Sequence, residues 1–356
     1  MTRDCYVLLA AVACIFLPGC GGPSAPPAKY TVALIPKGLT HEHWESVRRG
    51  GQRAAADFLA NGLRVEVLWE GSNVEDDGRA QIGIVNQMAG RGVSALVLAP
   101  QHSKAMIPCV KAAKSQKIPV VLIDSGLGEP GLAIKYVSTD NRNGGRMAAR
   151  HLLKTLAAQG KTAPKLILLR YQAASESTEE REAGFLEVIK EEQARARPGE
   201  PTVEVISDRE YSGPTVESAQ AVAGPLIEAH KEKADALFAV NESATTGVLN
   251  VLRTKGMLGK LTVMGFDQSK PLLQALRDGH LCGTIAQDPY RMGYLGVHAA
   301  VRHLEGDDVE SAGYFLPTGE FLITKENVDS EETRSRIDPE AQARRKIEAP
   351  NYAGKR

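Results

Sequence analysis

Lys37 and His41, Asp124, Asp140-Asn141, Tyr211, Asn241-Glu242, Asp267 and Gln287-Asp288 share one feature: each group follows a short, β-rich apolar run. A carboxylate accepts from two neighbouring hydroxyls, an amide offers one donor and one acceptor side, and an arginine presents a rigid fork of donors. Aromatic rings cover apolar C–H faces. Collected in one cleft, such groups suit a polyol, whose vicinal hydroxyls both donate and accept. An analogue lacking one hydroxyl would leave a buried polar group unpaired, at about 1–3 kcal/mol.

Other chemistries fit these residues less well. Asp124 and Asp267 could pair as in glycoside hydrolysis, but no nucleophile, metal or cofactor motif accompanies them, so neither an enzyme nor a cofactor is expected. His41-Glu42-His43 departs from the His-Glu-x-x-His metal pattern, and alternate residues at a helix start point apart. The glycines of 126–131 match a dinucleotide-binding pattern by letter, yet they lead into a strand and open no helix. Gly160-Lys161-Thr162 lacks the earlier glycine of a phosphate loop.

The elements that must position these residues are legible. Strand candidates fall at 30–36, 64–69, 95–99, 119–124, 134–138, 165–169, 202–206, 236–240, 261–266 and 281–286. Several are near-continuous apolar runs, which is how strands covered on both faces read. Helical patterns lie between them; in 142–158, Ala148, Leu152 and Leu156 repeat at i+4 while Arg146, Arg150 and Lys154 take another face. Alternation at this spacing implies right-handed crossovers, parallel sheets and an α/β fold of two doubly wound lobes. Ligands of such sheets bind outside the carboxyl ends of the strands, where the polar residues sit. The break at 126–131, with Pro130 inside, is expected to be where the chain changes lobes. Beyond about 325 charge rises and apolar periodicity fades, so 326–356 reads as a polar, loosely ordered tail.

At 356 residues the chain has room for two domains, and 43 basic residues balance 43 acidic ones. No global field draws nucleic acid. Tyr6 to Leu17 form an uncharged apolar run too short to span a bilayer but suited to a signal peptide over 1–19. Leu17-Pro18-Gly19-Cys20 resembles a lipobox, in which Cys20 carries the lipid and 20–29 forms a flexible tether. Of the remaining cysteines, Cys109 and Cys282 have no spacing that suggests zinc or redox chemistry, and a disulfide between them stays open.

The chain resembles the ribose-binding-protein group of type I periplasmic binding proteins, which feed sugar ABC transporters. The likeness spans roughly 30–325 and rests on Val32-Ala33-Leu34-Ile35, Trp44 before Gly50, and Ser138-Thr139-Asp140-Asn141 followed by Gly144-Gly145. Arg181-Glu182-Ala183-Gly184-Phe185, Ala239-Val240-Asn241-Glu242, Gly265-Phe266-Asp267 and Thr284-Ile285-Ala286-Gln287 complete it. The resemblance implies lobes of 30–139 plus 288–315 and 140–287 plus 316–325, joined by a three-segment hinge. It places Asp124, Asn141, Arg181, Asn241, Asp267 and Gln287 as hydrogen-bonding ligand residues, with Trp44 and Tyr211 stacking. Lys37, His41, His43 and Ser125 depart from the ribose pattern; with Arg181, Lys37 and His41 could favour an acidic sugar. The implied partners are a sugar-like ligand and a membrane permease, for a monomer anchored in the periplasm or at the cell surface. A sensory receptor, or a binder of a nucleoside or signalling molecule, is the alternative. A lactose-repressor-type regulator would need a helix-turn-helix where the signal sequence stands.

Overall fold

The computed structural model describes residues 29–354 apart from Pro198. Cys20, the expected signal segment and the expected tether up to residue 28 lie outside the described residues. In chain order the first elements are β1 (Tyr30–Ile35), α1 (Glu42–Ala60), β2 (Val65–Trp69), α2 (Gly78–Gly90), β3 (Ala95–Leu98), α3 (Ile107–Ser115), β4 (Val120–Ile123) and β5 (Lys135–Ser138). There follow α4 (Asn141–Ala158), β6 (Lys165–Leu169), α5 (Glu176–Arg195), β7 (Glu204–Ser207), α6 (Val216–His230), β8 (Ala236–Ala239), α7 (Glu242–Thr254), β9 (Thr262–Phe266), α8 (Lys270–Arg277) and β10 (Gly283–Gln287). The last are α9 (Pro289–Leu304), β11 (Asp307–Asp308), β12 (Phe315–Pro317), β13 (Glu320–Ile323), α10 (Glu331–Ile337), α11 (Pro339–Arg344) and β14 (Ala353–Gly354).

Two six-stranded sheets result, in the orders β12-β5-β4-β3-β1-β2 and β13-β10-β9-β8-β6-β7. The first is parallel throughout its pairings; in the second only β13 runs antiparallel, beside β10. The near-continuous apolar strands are explained by helices on both faces. In β1, Val32 and Leu34 enter one core cluster while Ala33 and Ile35 enter the other. In β6, Ile167 and Leu169 face one way and Leu166 and Leu168 the other.

The chain passes between the sheets three times: after β5, after β10, and between β12 and β13. The glycine-rich stretch 126–131 is not one of these passages. It joins β4 to β5, which pair side by side (Val121↔Lys135), so it is a strand-to-strand turn without a crossover helix and the crossing waits until Thr139. At the third passage β12 keeps pairing as far as Pro317↔Ser138, two residues beyond the expected boundary at 315.

The tail also departs from expectation. Ser330 and Asp338 accept from backbone N–H groups at the starts of α10 and α11, and a few apolar anchors suffice where periodicity is absent. Ile337 packs on the second lobe's core, while Ile347, Ala349 and buried Tyr352 pack on the first lobe's. Antiparallel β14 pairs with β11. Cys109 and Cys282 are free thiols, packed in the cores of different lobes. Among the described residues no helix is long and apolar enough to cross a membrane.

Candidate ligand-binding cleft

The carboxyl ends of the central strands of both sheets deliver their side chains to one place between the lobes. Asp124 and Asp267 are each the first residue after a strand, β4 and β9, and hold φ of 63° and 76°. Left-handed backbone at a non-glycine residue costs about 1–3 kcal/mol and persists only where its surroundings fix it. Here the same device fixes both. Ser138 Oγ donates to the Asp124 carbonyl at 2.6 Å, and Thr284 Oγ1 donates to that of Asp267 at 2.7 Å. The two sheets thus present matching carboxylates, one from each lobe.

On the first lobe Lys37 Nζ lies 2.7 Å from Asp124 Oδ2, and His43 Nε2 stands 3.4 Å from Oδ1, within ion-pair reach but not aligned as a hydrogen bond. Burial would push the Asp124 carboxyl up; Lys37 and His43 outweigh it and hold the group well below the usual carboxylate range. Glu75, from the loop after β2, is a second hub. Its Oε1 accepts from Trp44 Nε1 at 2.6 Å and lies 2.8 Å from His41 Nδ1; its Oε2 accepts from Tyr171 of the other lobe at 2.7 Å. Lys37 Nζ also crosses the cleft, to Ser177 Oγ at 3.0 Å.

On the second lobe buried Arg181 reaches back from α5. Its Nε donates to Asn141 Oδ1 at 2.8 Å, its Nη1 to the Val240 carbonyl at 2.9 Å, and its guanidinium lies 3.8 Å from the Phe266 ring centroid. Asp267 does not cap α8. Its Oδ2 accepts from the Glu242 N–H at the start of α7, and its Oδ1 accepts from Gln287 Nε2 at 2.6 Å. Ser269 holds the N-cap position of α8 without a side-chain bond, its Oγ buried and unpartnered. Asn141 is likewise not the cap of α4, a role taken by Asp140.

Lys37, His41, Trp44, Asp124, Arg181, Asn241, Asp267 and Gln287 line one cleft, and Asn141 orients Arg181 from behind it. Tyr211 is set apart: it follows the edge strand β7, is 42% exposed, and lines a neighbouring surface pocket instead. The aromatic that reaches the cleft is Tyr171, 2% exposed and two residues after β6. Its place after an apolar run was the available signal. Glu75, Ser177 and Thr178 were not singled out either; they sit in a loop or on the first turn of a helix, where strand ends give no pointer. Glu242 also lines the cleft, and burial pushes its carboxyl up to about 7, Asp267 adding to the rise and His41 opposing it. Lys37 and His41 are each matched by a carboxylate of their own lobe. Their charges are met internally.

Two doubly wound lobes with strand ends facing across a polar cleft and three connecting segments define the class of two-lobed binding proteins that close around a small ligand. A family model described as "Periplasmic binding protein domain" matches residues 32–308, and the chain belongs to that family. The D-ribose/D-allose-binding protein of Pseudomonas aeruginosa is 31% identical over 315 residues, 85% of this chain and 92% of its own. The periplasmic component of an ABC-type sugar transport system from Hahella chejuensis superposes with a TM-score of 0.74 at 30% identity, over 83% of this chain and 99% of the other. A carbohydrate transporter solute-binding protein from Agrobacterium radiobacter, in complex with D-arabinose, gives 0.77 at 30%, over 87% and 99%. These relatives are transport binding proteins, not enzymes, and the family is periplasmic.

Proposed function

We propose that the protein captures a neutral sugar or sugar-like polyol between its lobes and delivers it to the permease of an ABC transporter. The observation that carries this reading is the convergence of Asp124, Arg181, Asn241, Asp267 and Gln287, from both lobes, on one buried cleft beside Trp44 and Tyr171. Carboxylates, amides and a guanidinium with two aromatics provide the donors, acceptors and apolar faces that a polyol requires. Names of relatives that bind ribose, allose and arabinose point the same way. A neutral ligand is favoured over an acidic one because Asp124 neutralises Lys37 and Glu75 neutralises His41.

In a thermal-shift screen, a bound sugar at a hundred times its dissociation constant adds about 2.7 kcal/mol, a rise of several degrees for lobes of this size. The same ligand is expected to lower the radius of gyration in small-angle scattering. Acidic sugars binding more tightly than neutral ones would refute the charge argument, and an unchanged radius at saturation would refute closure.

The mature chain is held at the membrane by lipid on Cys20. The full chain expressed in a bacterial host is expected to partition into detergent, and the Cys20→Ser protein into the aqueous phase; equal partition of the two would remove the anchor.

A further inference from the structure

Besides the three passages between the sheets, the tail carries the chain from one lobe to the other once more. After β13 it stays on the second lobe: Val328 is buried in that core, Asp329 pairs with Arg277 on α8 at 2.9 Å, and Arg336 lies 4.7 Å from the Phe321 ring centroid. Ile337, the last residue of α10, packs on the same core. From Gln342 onward the tail belongs to the first lobe. Ser46 on α1 donates to Gln342 Oε1 at 3.3 Å, Arg53 donates to the Ala343 carbonyl, and Arg345 pairs with Asp288 at 2.5 Å. Tyr352 then sits in the first lobe's core, and β14 pairs with β11.

The joint between these two footholds is short and bonded to itself. Asp338 ends α10 and starts α11: its N–H donates to the Arg334 carbonyl, and its carboxylate accepts from the N–H groups of Glu340 and Ala341. Gln342 Nε2 reaches back to the Arg336 carbonyl at 2.6 Å, and this residue is only 1% exposed. Five residue steps separate Ile337 from Gln342. As helix they span about 7–8 Å, and drawn out straight at most about 17–18 Å. The joint therefore has little slack while α11 is folded, and gains about 10 Å only if α11 unwinds completely.

The first-lobe foothold also stands off the hinge. Ser46 lies near the start of α1, which follows β1, and β3 and β4 separate β1 from β5, where the chain first leaves for the second lobe. Three strand spacings amount to roughly 14 Å. Rotation about the connecting segments moves a point in proportion to its distance from them, so parting the lobes pulls on the joint. Arg345 braces the other end against Asp288, at the second passage itself.

We infer that the tail is an interlobe strap that limits how far the lobes part. For the cleft to open wide, α11 must unwind or one foothold must release. A strap that disfavours the open form raises the fraction of closed, binding-competent protein and so tightens binding. The inference does not depend on which ligand the cleft takes.

Lengthening the strap tests this while both footholds stay in place. Two, four or eight Gly/Ser residues are inserted between Ile337 and Asp338 in the full chain carrying Cys20→Ser, and eight between Lys161 and Thr162, in an exposed loop of the second lobe, as the control. In small-angle scattering without ligand, the radius of gyration is expected to grow with inserted length, by roughly 1 Å at eight residues on about 20 Å for a chain of this size. The control is expected to keep the natural radius. Amide exchange reads the same opening at two bonds that cross the cleft, from the Ser103 N–H to the Ala174 carbonyl at 3.0 Å and from the Gly126 N–H to Glu176 Oε2 at 2.9 Å. Both amides are expected to exchange about threefold or more faster in the eight-residue variant than in the natural protein, with the melting temperature as the fold control. A radius and exchange rates that ignore the inserted length, or that change as much in the control, would overturn the strap and leave the binding function standing.

Discussion

Glu75→Ala is expected to cost about 3–5 kcal/mol, because breaking one member of a buried charged cluster leaves the others uncompensated. The carboxylate is 7% exposed and holds Trp44, His41 and Tyr171 at once. Without it, two neutral donors and one imidazole lose their acceptor in a space too small for more than a water or two. Burial alone would push the His41 imidazole down, but Glu75 raises it to about 9; burial would push Glu75 up, but His41, Lys37 and the Trp44 donor bring it to about 2. The sign follows from the shifts. His41, raised above its unfolded value near 6.5, contributes stability that is complete below that pH and lost as pH rises through about 9. Glu75, depressed below 4.5, contributes stability present above that pH and lost as pH falls through about 2. The intact pair therefore stabilises fully between these unfolded values. Glu242 and Glu182, both pushed up to about 7 by burial, also titrate at the lower end of the interval from pH 7 to 9, so it is the difference between the natural protein and Glu75→Ala that reports the His41 pair. Over that interval the melting temperature of the natural protein is expected to fall by roughly several degrees, and that of Glu75→Ala to fall clearly less. Parallel slopes in the two proteins would show that the pair does not carry the titration. Because Tyr171 is the second-lobe partner of Glu75, the substitution also removes an interlobe bond, and a larger radius of gyration without ligand is expected.

Why Glu75 escaped the sequence while Asp124 and Asp267 did not is a matter of geometry. A parallel strand covered on both faces advertises itself by an apolar run, and the first polar residue after it must sit at the carboxyl edge of the sheet. That logic reaches Lys37, Asp124, Asn241, Asp267 and Gln287 directly. Extended to β6 it reaches Tyr171. It misjudges Tyr211, because nothing in a single strand's composition says whether it is central or at the edge, and β7 is an edge strand. Glu75 lies six residues past β2, also an edge strand, and is brought back to the cleft by its partners rather than by its strand. The tail was misread for a related reason. Its order comes from two capped short helices and from contacts such as Tyr352 in the first lobe's core and Gln342 against Ser46. These are tertiary contacts that leave no periodic trace.

Gly184→Ala is the substitution expected to damage both fold and site most. Alanine replacing an exposed mid-helix glycine ordinarily gains up to about 1 kcal/mol, and Gly83→Ala in α2, where an added Cβ meets nothing within 4 Å, is expected to show that gain. At Gly184 the sign reverses. An added Cβ would lie 1.9 Å from the Arg142 carbonyl oxygen on α4, and one added at Gly145 would lie 2.0 Å from the Arg181 carbonyl oxygen. The same reciprocal arrangement joins α1 and α9, where a Cβ added at Gly50 or at Gly293 would lie 1.9 Å from a carbonyl oxygen of the opposite helix. Each lobe thus holds one helix pair together by glycines against backbone, which cannot yield as a side-chain tip can. To admit a methyl, α5 must move away from α4 and from the sheet, with overpacking costs of about 1–3 kcal/mol or more. Arg181 lies on α5 one turn before Gly184, and its bonds to Asn141 and Val240 have lengths of 2.8 and 2.9 Å. A displacement of α5 large enough to clear the clash breaks them and withdraws the guanidinium from the cleft. The glycine and arginine of Arg-x-x-Gly-Phe are therefore one device: the glycine sets the helix depth at which the arginine reaches the cleft. Gly184→Ala is expected to lower the melting temperature by roughly ten degrees and to weaken ligand binding about a hundredfold, the loss of one to two charged hydrogen bonds. Arg181→Lys is expected to reproduce the binding loss with a smaller fall in melting temperature, since an ammonium cannot span both acceptors in the guanidinium's fixed geometry. If Gly184→Ala melts lower yet binds as tightly as the natural protein, helix depth does not set the arginine and the coupling is wrong.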